Sequence, residues 1–226
     1  PLCYNDANGI VEIVCSGGTA PYTATCGSGL ISYPNNDSII ITGLSAGNIS
    51  VYITDVNGCY NTLFADITNP LELSVDIDES SPTCYGYFDG VTSVTAIGGV
   101  FPYTYELLDN SNNLAGNTSV INGLDAGNYT YIVTDLNGCL ISSEVNMINP
   151  DEIEILLLES CYGSLLVDVL NVNGNYQIFW SNALDSVYID GLLPGLYNAT
   201  VIDDLGCARS DSFIVNSLFD YTVYDA

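Results

Sequence analysis

One unit recurs three times along this chain, so each copy must fold in the same way and then be joined to the next. Gly43-Leu44-Ser45-Ala46-Gly47 leads to Thr54-Asp55-Val56-Asn57-Gly58-Cys59, and Gly123-Leu124-Asp125-Ala126-Gly127 leads to Thr134-Asp135-Leu136-Asn137-Gly138-Cys139. A worn third version runs from Gly191-Leu192-Leu193-Pro194-Gly195 to Asp203-Asp204-Leu205-Gly206-Cys207. Sixteen residues separate Gly43 from Cys59, Gly123 from Cys139 and Gly191 from Cys207. Upstream, Gly17-Gly18-Thr19-Ala20-Pro21-Tyr22 matches Gly98-Gly99-Val100-Phe101-Pro102-Tyr103, and the third copy keeps only Asn173-Gly174-Asn175-Tyr176. Each copy opens on a Cys-Tyr pair: Cys3-Tyr4, Cys84-Tyr85 and Cys161-Tyr162.

Between these marks the chain alternates apolar and polar residues with period two, as strands with one buried face do. Ile49, Val51 and Ile53 share one face, as do Tyr129, Tyr131 and Val133, and both faces are expected to pack inward. The Asn57-Gly58 and Asn137-Gly138 pairs supply the positive φ of tight hairpin turns. Helical signals are nearly absent. The expected fold is all-β, with three tandem immunoglobulin-like antiparallel sandwiches. Proline at Asn69-Pro70 and Asn149-Pro150 stops the preceding strand, so the expected domains are 1–69, 70–149 and a degenerate 150–216, with 217–226 as a further strand.

Charge narrows the function. Among 226 residues, 27 Asp and Glu face a single basic residue, Arg209, and there is no Lys or His, for a formal charge of −26. Nucleic acid and anionic membrane surfaces are excluded as partners, because binding them requires Lys or Arg. A Ser-His triad, a Schiff base and an imidazole zinc site all lack their central group. No apolar run is long enough to cross a bilayer, so no membrane insertion is expected. Asp203-Asp204 and Asp151-Glu152 are adjacent acids, and adjacent strand residues point to opposite faces, so neither pair can flank a glycosidic bond. No catalytic residue is expected, and the chain reads as a non-enzyme.

The Gly-Gly-x-x-Pro-Tyr, Gly-Leu-x-Ala-Gly and Thr-Asp-x-Asn-Gly-Cys motifs together resemble the SprB-type repeat, which occurs in tandem in very large surface adhesins of gliding bacteria. The resemblance covers copies one and two well and copy three in part. It implies a secreted, cell-surface location and a role as stalk, adhesin or filament.

Eight cysteines in such a setting imply up to four disulfides. Repeat phase pairs Cys3 with Cys59, Cys84 with Cys139 and Cys161 with Cys207, each tying the start of a copy to its own hairpin. Cys15 and Cys26, which flank the Gly17-Gly18 turn, form the expected fourth pair. The rival is a metal site, but there is no Cys-x-x-Cys and no His. Loop oxygens at Asp6, Asn8, Asp55, Asn57, Asp135, Asn137, Asp203 and Asp204 are read as turn residues bonding their own backbone. Ca²⁺ is the one cofactor they admit, and no twelve-residue calcium loop is present; no other cofactor or metal is expected.

Covalent glycans are expected partners. Asn-x-Ser/Thr occurs at Asn36, Asn48, Asn117, Asn128 and Asn198. Asn48, Asn128 and Asn198 fall on equivalent strands, on the face opposite the buried side chains. Asp37-Ser38-Ile39 and Asp185-Ser186-Val187 resemble the short O-glycosylation motif of this bacterial group, with Ser38 and Ser186 as acceptors.

The other expected partner is the chain itself. Copies two and three begin with plain first strands, Leu71-Glu72-Leu73-Ser74-Val75-Asp76-Ile77 and Ile153-Glu154-Ile155-Leu156-Leu157. Copy one has only Pro1-Leu2 ahead of Cys3, whereas Leu218 to Asp225 reads as a first strand with no domain after it. Insertion of this tail into copy one of the next subunit builds a head-to-tail filament by donor-strand exchange. Leu218 opens the donor strand, and Phe219, Tyr221 and Val223 share its apolar face, offset by one residue from the Leu71, Leu73, Val75 pattern. The alternative is an adhesin fragment that binds a glycan or protein through its loops, with the seventeen tyrosines as a candidate sugar-binding surface.

Overall fold

In the computed structural model, which describes residues 1–160 and 163–216, the described residues form nineteen strands and no helix. Copy one supplies β1 (Gly9–Val14), β2 (Thr23–Cys26), β3 (Leu30–Asn35), β4 (Ser38–Leu44), β5 (Gly47–Thr54) and β6 (Tyr60–Ile67). They form two sheets, ordered β1-β4-β3 and β2-β5-β6. Copy two supplies β7 (Ser74–Ser80), β8 (Gly90–Ile97), β9 (Thr104–Asp109), β10 (Leu114–Gly116), β11 (Val120–Leu124), β12 (Gly127–Thr134) and β13 (Leu140–Met147), ordered β11-β8-β7 and β10-β9-β12-β13. Copy three supplies β14 (Glu154–Ser160), β15 (Ser164–Leu170), β16 (Tyr176–Trp180), β17 (Tyr188–Ile189), β18 (Gly195–Asp203) and β19 (Ala208–Val215), ordered β14-β15-β17 and β16-β18-β19. Sheets in pairs, built from antiparallel ladders and short hairpins, make the fold immunoglobulin-like and all-β.

The chain gathers into two compact units. One contains Pro1–Asp78, Thr92–Ile121 and Asn128–Val145; the other contains Glu79–Val91, Asn122–Gly127 and the chain from Asn146 on. In the first, Ile13, Ile39, Ile41, Leu44 and Val51 form a buried cluster with Ile49 and Ile53 packed against it. Tyr129, Tyr131 and Val133 are also buried, so both period-two faces point inward as expected. In the second, Ile155, Leu165, Val167, Ile178, Trp180 and Val201 belong to one core. Each such side chain contributes roughly 1.5 to 3 kcal/mol on burial.

The disulfides correct the expected pairing. Cys3 bonds to Cys139, with Cα atoms 5.6 Å apart, and Cys84 bonds to Cys207, with Cα atoms 5.4 Å apart. The Cys3–Cys59 and Cys84–Cys139 pairs do not form, and Cys207 is not available to Cys161, which lies outside the described residues. The reason is strand length. Gly9 at the start of β1 pairs with Leu44, and a Cβ added to Gly9 would meet Ile67, which pairs with Gly47 at the start of β5. Cys59 follows the other end of β5, and the seven steps from Gly47 to Thr54 span about 23 Å at roughly 3.3 Å per residue. A disulfide requires Cα atoms within about 7 Å. The opening of a copy therefore reaches the hairpin of the next copy and not its own.

Cys15 and Cys26 are free thiols, which corrects the fourth pair. Cys15 leaves β1 with its N–H on the Asp37 carbonyl, whereas Cys26 lies level with Val51. Cys15 lines one cavity with Tyr22, just ahead of β2, and Cys26 ends β2 three residues, about 10 Å, beyond Thr23.

Candidate functional site

The Thr-Asp-x-Asn-Gly-Cys hairpin is organised by its aspartate, which is buried in all three copies. One Asp55 oxygen accepts the N–H groups of Asn57 at 3.0 Å and Cys59 at 2.8 Å; the other accepts Thr19 N–H at 3.0 Å. Asp135 repeats this with Asn137 at 2.9 Å, Cys139 at 2.9 Å and Val100 at 2.8 Å. Asp203 repeats it with Leu205 at 3.0 Å, Cys207 at 2.9 Å and Asn173 at 3.0 Å. Each carboxylate thus holds the cysteine backbone and clasps the upstream loop, Gly-Gly in copies one and two and Asn173-Gly174 in copy three. The Cys59 N–H leads in holding Asp55 below the usual carboxylate range, with Thr19, Asn57 and Gly58 helping against the opposing effect of burial. For Asp203, burial pushes upward, and the hydrogen bonds from Asn173, Cys207 and Leu205 outweigh it.

The Gly-Gly-x-x-Pro-Tyr loop is shaped to receive that carboxylate. Gly99 has φ +59°, and a Cβ there would stand 2.9 Å from Asp135 Oδ2. Gly18 has φ +69°, and its Cβ would stand 3.1 Å from Asp55 Oδ2. The Ala20–Pro21 and Phe101–Pro102 peptides are cis, and the tyrosine after each donates back to the first glycine's carbonyl, Tyr22 to Gly17 and Tyr103 to Gly98. The bonds of each aspartate to its own turn follow the expectation from the sequence; its further bond to the upstream loop, from Thr19, Val100 or Asn173, was not foreseen, although its fixed place before every hairpin cysteine was the available signal.

The three copies differ at the hairpin cysteine. Beside Cys139, the Leu2 carbonyl lies 3.5 Å from Sγ and accepts Asn137 Nδ2 at 2.8 Å. Beside Cys207, the Thr83 carbonyl lies 3.5 Å from Sγ. In copy one, Cys59 is a free, exposed thiol, and Asn57 Nδ2 turns instead to Thr19 Oγ1 at 2.9 Å. Next to it opens a cavity of about 390 Å³, lined among others by Ile13, Cys15, Gly17, Tyr22, Asp55 and Cys59. In copy two the corresponding ground is covered by the run-in to β7: the Leu71 carbonyl accepts Gly99 N–H at 2.9 Å, and buried Leu73 lies where a Gly99 Cβ would touch it. The sheets differ accordingly. β8 and β15 lie inside their sheets, whereas β1 is an edge strand among the described residues.

The remaining expected sites fall as follows. Asn36, Asn48, Asn117, Asn128, Asn198 and Ser186 are exposed and Ser38 is half-buried within β4. Leu218, Phe219, Tyr221 and Val223 lie outside the described residues. Among the described residues, no three acidic or thiol groups gather as a metal cluster. Asp6 accepts Asn8 Nδ2 at 2.9 Å, and Asp204 accepts Asn175 N–H at 2.9 Å. Arg209, the one basic residue, pairs with Glu152. No described helix is long and apolar enough to cross a membrane.

Residues 1–23 and 78–112 match the SprB repeat, and both segments contain the opening cysteine and the Pro-Tyr pair. These two segments are therefore similar to the SprB repeat, as the motifs suggested. No curated protein matches it. Among solved structures it is similar to Dpr2 Ig1-Ig2, solved in complex with DIP-Theta, at 11% identity over 93% of this chain and 94% of that one, with a TM-score of 0.35. It is similar to the human desmocollin-1 ectodomain at 12% identity over 91% and 53% of the two chains, TM-score 0.33. Domains 4–9 of the surface layer protein SbsC match at 14% identity over 89% and 40%, TM-score 0.25.

Proposed function

We propose that this chain, with its SprB-type repeats on immunoglobulin-like sandwiches, is a non-enzymatic structural subunit of an extracellular filament or stalk at the cell surface, joined head to tail through copy one. The observation that carries the reading is the open side of copy one, where β1 is an edge strand among the described residues and the 390 Å³ cavity stands in the place that the Leu71–Leu73 run-in covers in copy two. An edge strand over an uncovered core accepts a further strand readily. Residues 217–226 of a second copy supply one, and Phe219, Tyr221 and Val223 would contribute roughly 1.5 to 3 kcal/mol each if fully buried there. The contact is heterologous, so it propagates into an open fibre. A charge of −26 keeps unjoined chains apart until that specific contact forms. Glycans on the exposed asparagines would add to the displayed surface.

Electron microscopy of the full chain beside a variant lacking residues 217–226 tests this. Filaments are expected from the full chain only, and a synthetic 217–226 peptide is expected to raise the melting temperature of the shortened variant. Filaments from the shortened variant would refute the tail's part, and a full chain that stays monomeric at high concentration would refute assembly.

A further inference from the structure

Arg209, the one basic residue among 226, lines a cavity of about 110 Å³ in the second compact unit. Four separate segments build its wall, contributing Tyr85 and Tyr87, Glu152, Asn171 and Asn173, and Arg209 itself, with the Cys84–Cys207 bond tying the first segment to the last. Internal hydrogen bonds hold these segments. Gly86 N–H donates to Asn149 Oδ1 at 3.2 Å, and Tyr87 N–H donates to the Cys84 carbonyl at 3.1 Å. Asn171, in the left-handed region at φ +61°, donates from Nδ2 to the Glu152 carbonyl at 2.9 Å, and Asn173 N–H donates to Asp203 Oδ2 at 3.0 Å. A wall fixed in this way loses little freedom when something binds to it.

Stability does not account for the ion pair in that wall. Arg209 Nη1 donates to Glu152 Oε1, yet the two side chains are 51% and 41% exposed, and pairs so open to water contribute little. The repeat does not account for it either, because the position two residues past the hairpin cysteine holds Asn61 in copy one and Ile141 in copy two. The arginine is peculiar to copy three, where the cavity is.

We propose that this cavity binds one pyranose residue of a neutral saccharide. A guanidinium carries five N–H donors and no acceptor, and a carboxylate carries acceptors only. Side by side, the two match a pair of adjacent sugar hydroxyls, one accepting from Arg209 and the other donating to Glu152. Tyr85 and Tyr87 are exposed, and each offers an apolar ring face to the C–H side of a sugar and a hydroxyl at its tip. Aromatic walls with a few placed polar groups are the usual make-up of a small-ligand site. The volume suits one edge of a single ring rather than a longer glycan. An anionic sugar is disfavoured, since Arg209 is already paired and the chain carries a charge of −26. This binding role is independent of head-to-tail assembly and adds to it.

Saturation-transfer NMR on the full chain tests this, with the methyl pyranosides of glucose, galactose, mannose and fucose as probes and methyl glucuronide as their anionic counterpart. At least one neutral glycoside is expected to receive saturation from the protein, and the amide shifts on titration are expected to centre on Gly86, Tyr87, Glu152 and Arg209. Arg209→Gln and Tyr85→Ala are each expected to weaken binding about tenfold, with both disulfides retained. Tyr52→Ala, at an exposed tyrosine outside the cavity wall, is expected to leave binding unchanged. Should a cavity variant melt early, the wild-type amide shifts still locate the site. Absence of binding by every neutral glycoside overturns the proposal, as do shifts centred on other tyrosines, undiminished affinity in folded Arg209→Gln and Tyr85→Ala, or tighter binding of the glucuronide than of the glucoside.

Discussion

Cys3 and Cys139 are 136 residues apart in sequence and 5.6 Å apart at Cα, and their bond closes a loop through most of two copies. Constraint of so long a loop in the unfolded chain is worth about 5 kcal/mol by chain entropy. Cys139→Ser is expected to cost about 3 to 5 kcal/mol in urea denaturation of the monomer. Cys59→Ser, at an exposed and unbonded site, is expected to change it by less than about 0.5 kcal/mol. Equal losses from the two variants would contradict the pairing. Alkylation of the unreduced monomer is expected to label Cys15, Cys26 and Cys59 and to spare Cys3, Cys84, Cys139 and Cys207.

Asp135 accepts three backbone N–H groups, from Val100, Asn137 and Cys139. Asp135→Ala leaves those donors without their acceptor and is expected to lower stability by about 2 to 4 kcal/mol. Asp135→Asn keeps one carbonyl oxygen and is expected to lose less. An alanine variant with the wild-type denaturation midpoint would show that the carboxylate organises nothing.

Two glycines separate crowding from backbone strain. Gly99 and Gly138 both have positive φ, +59° and +85°, yet a Cβ on Gly138 meets open space while one on Gly99 meets Asp135 Oδ2 at 2.9 Å. Gly138→Ala is expected to cost about 1 kcal/mol from the left-handed backbone alone. Gly99→Ala is expected to cost clearly more, because the clasp must also shift. Calorimetry of the two variants side by side checks the order, and the reverse order would discount the clasp.

Four carboxylates are held below their usual range: Asp55 chiefly by Cys59 N–H, Asp89 by the Thr83 hydroxyl, Asp109 by the Asn113 side chain, and Asp203 by hydrogen bonds that outweigh its burial. A group with a lowered native pKa binds protons more readily in the unfolded chain. Its stabilisation is therefore complete above the unfolded value, about 3.9, and is lost as pH falls through the native value. The denaturation midpoint is expected to hold down to about pH 5 and to fall below about pH 4 as these groups protonate. Asp109→Asn is expected to flatten that acid limb, and an unchanged limb would remove Asp109 from the set.

Protein isolated from its native host is expected to have an intact mass above the sequence mass, with modification mapped among Asn36, Asn48, Asn117, Asn128, Asn198, Ser38 and Ser186. Asn48, Asn128 and Asn198 are all exposed on strands β5, β12 and β18. A bare mass would reject the glycan reading, and replacement of each asparagine by Gln locates the sites.

Much of the fold was legible because its causes act over a few residues. Alternation at Ile49, Val51 and Ile53 marked an inward face, and Asn57-Gly58 marked a hairpin whose glycine has φ +85°. The Thr-Asp-x-Asn-Gly-Cys spacing placed an aspartate and a cysteine on every such turn. The same regularity hid the disulfide partners. An opening cysteine is in phase with every hairpin cysteine in the chain, so spacing alone does not distinguish Cys59 from Cys139 as the partner of Cys3. By itself the sequence determined the repeat, the strands, the turns and the excluded chemistry, since alternation, turn preference and charge are local or additive. Tertiary structure decided which cysteines meet and which stay free, since a bond that needs Cα atoms within about 7 Å depends on which end of a strand some 23 Å long each cysteine occupies.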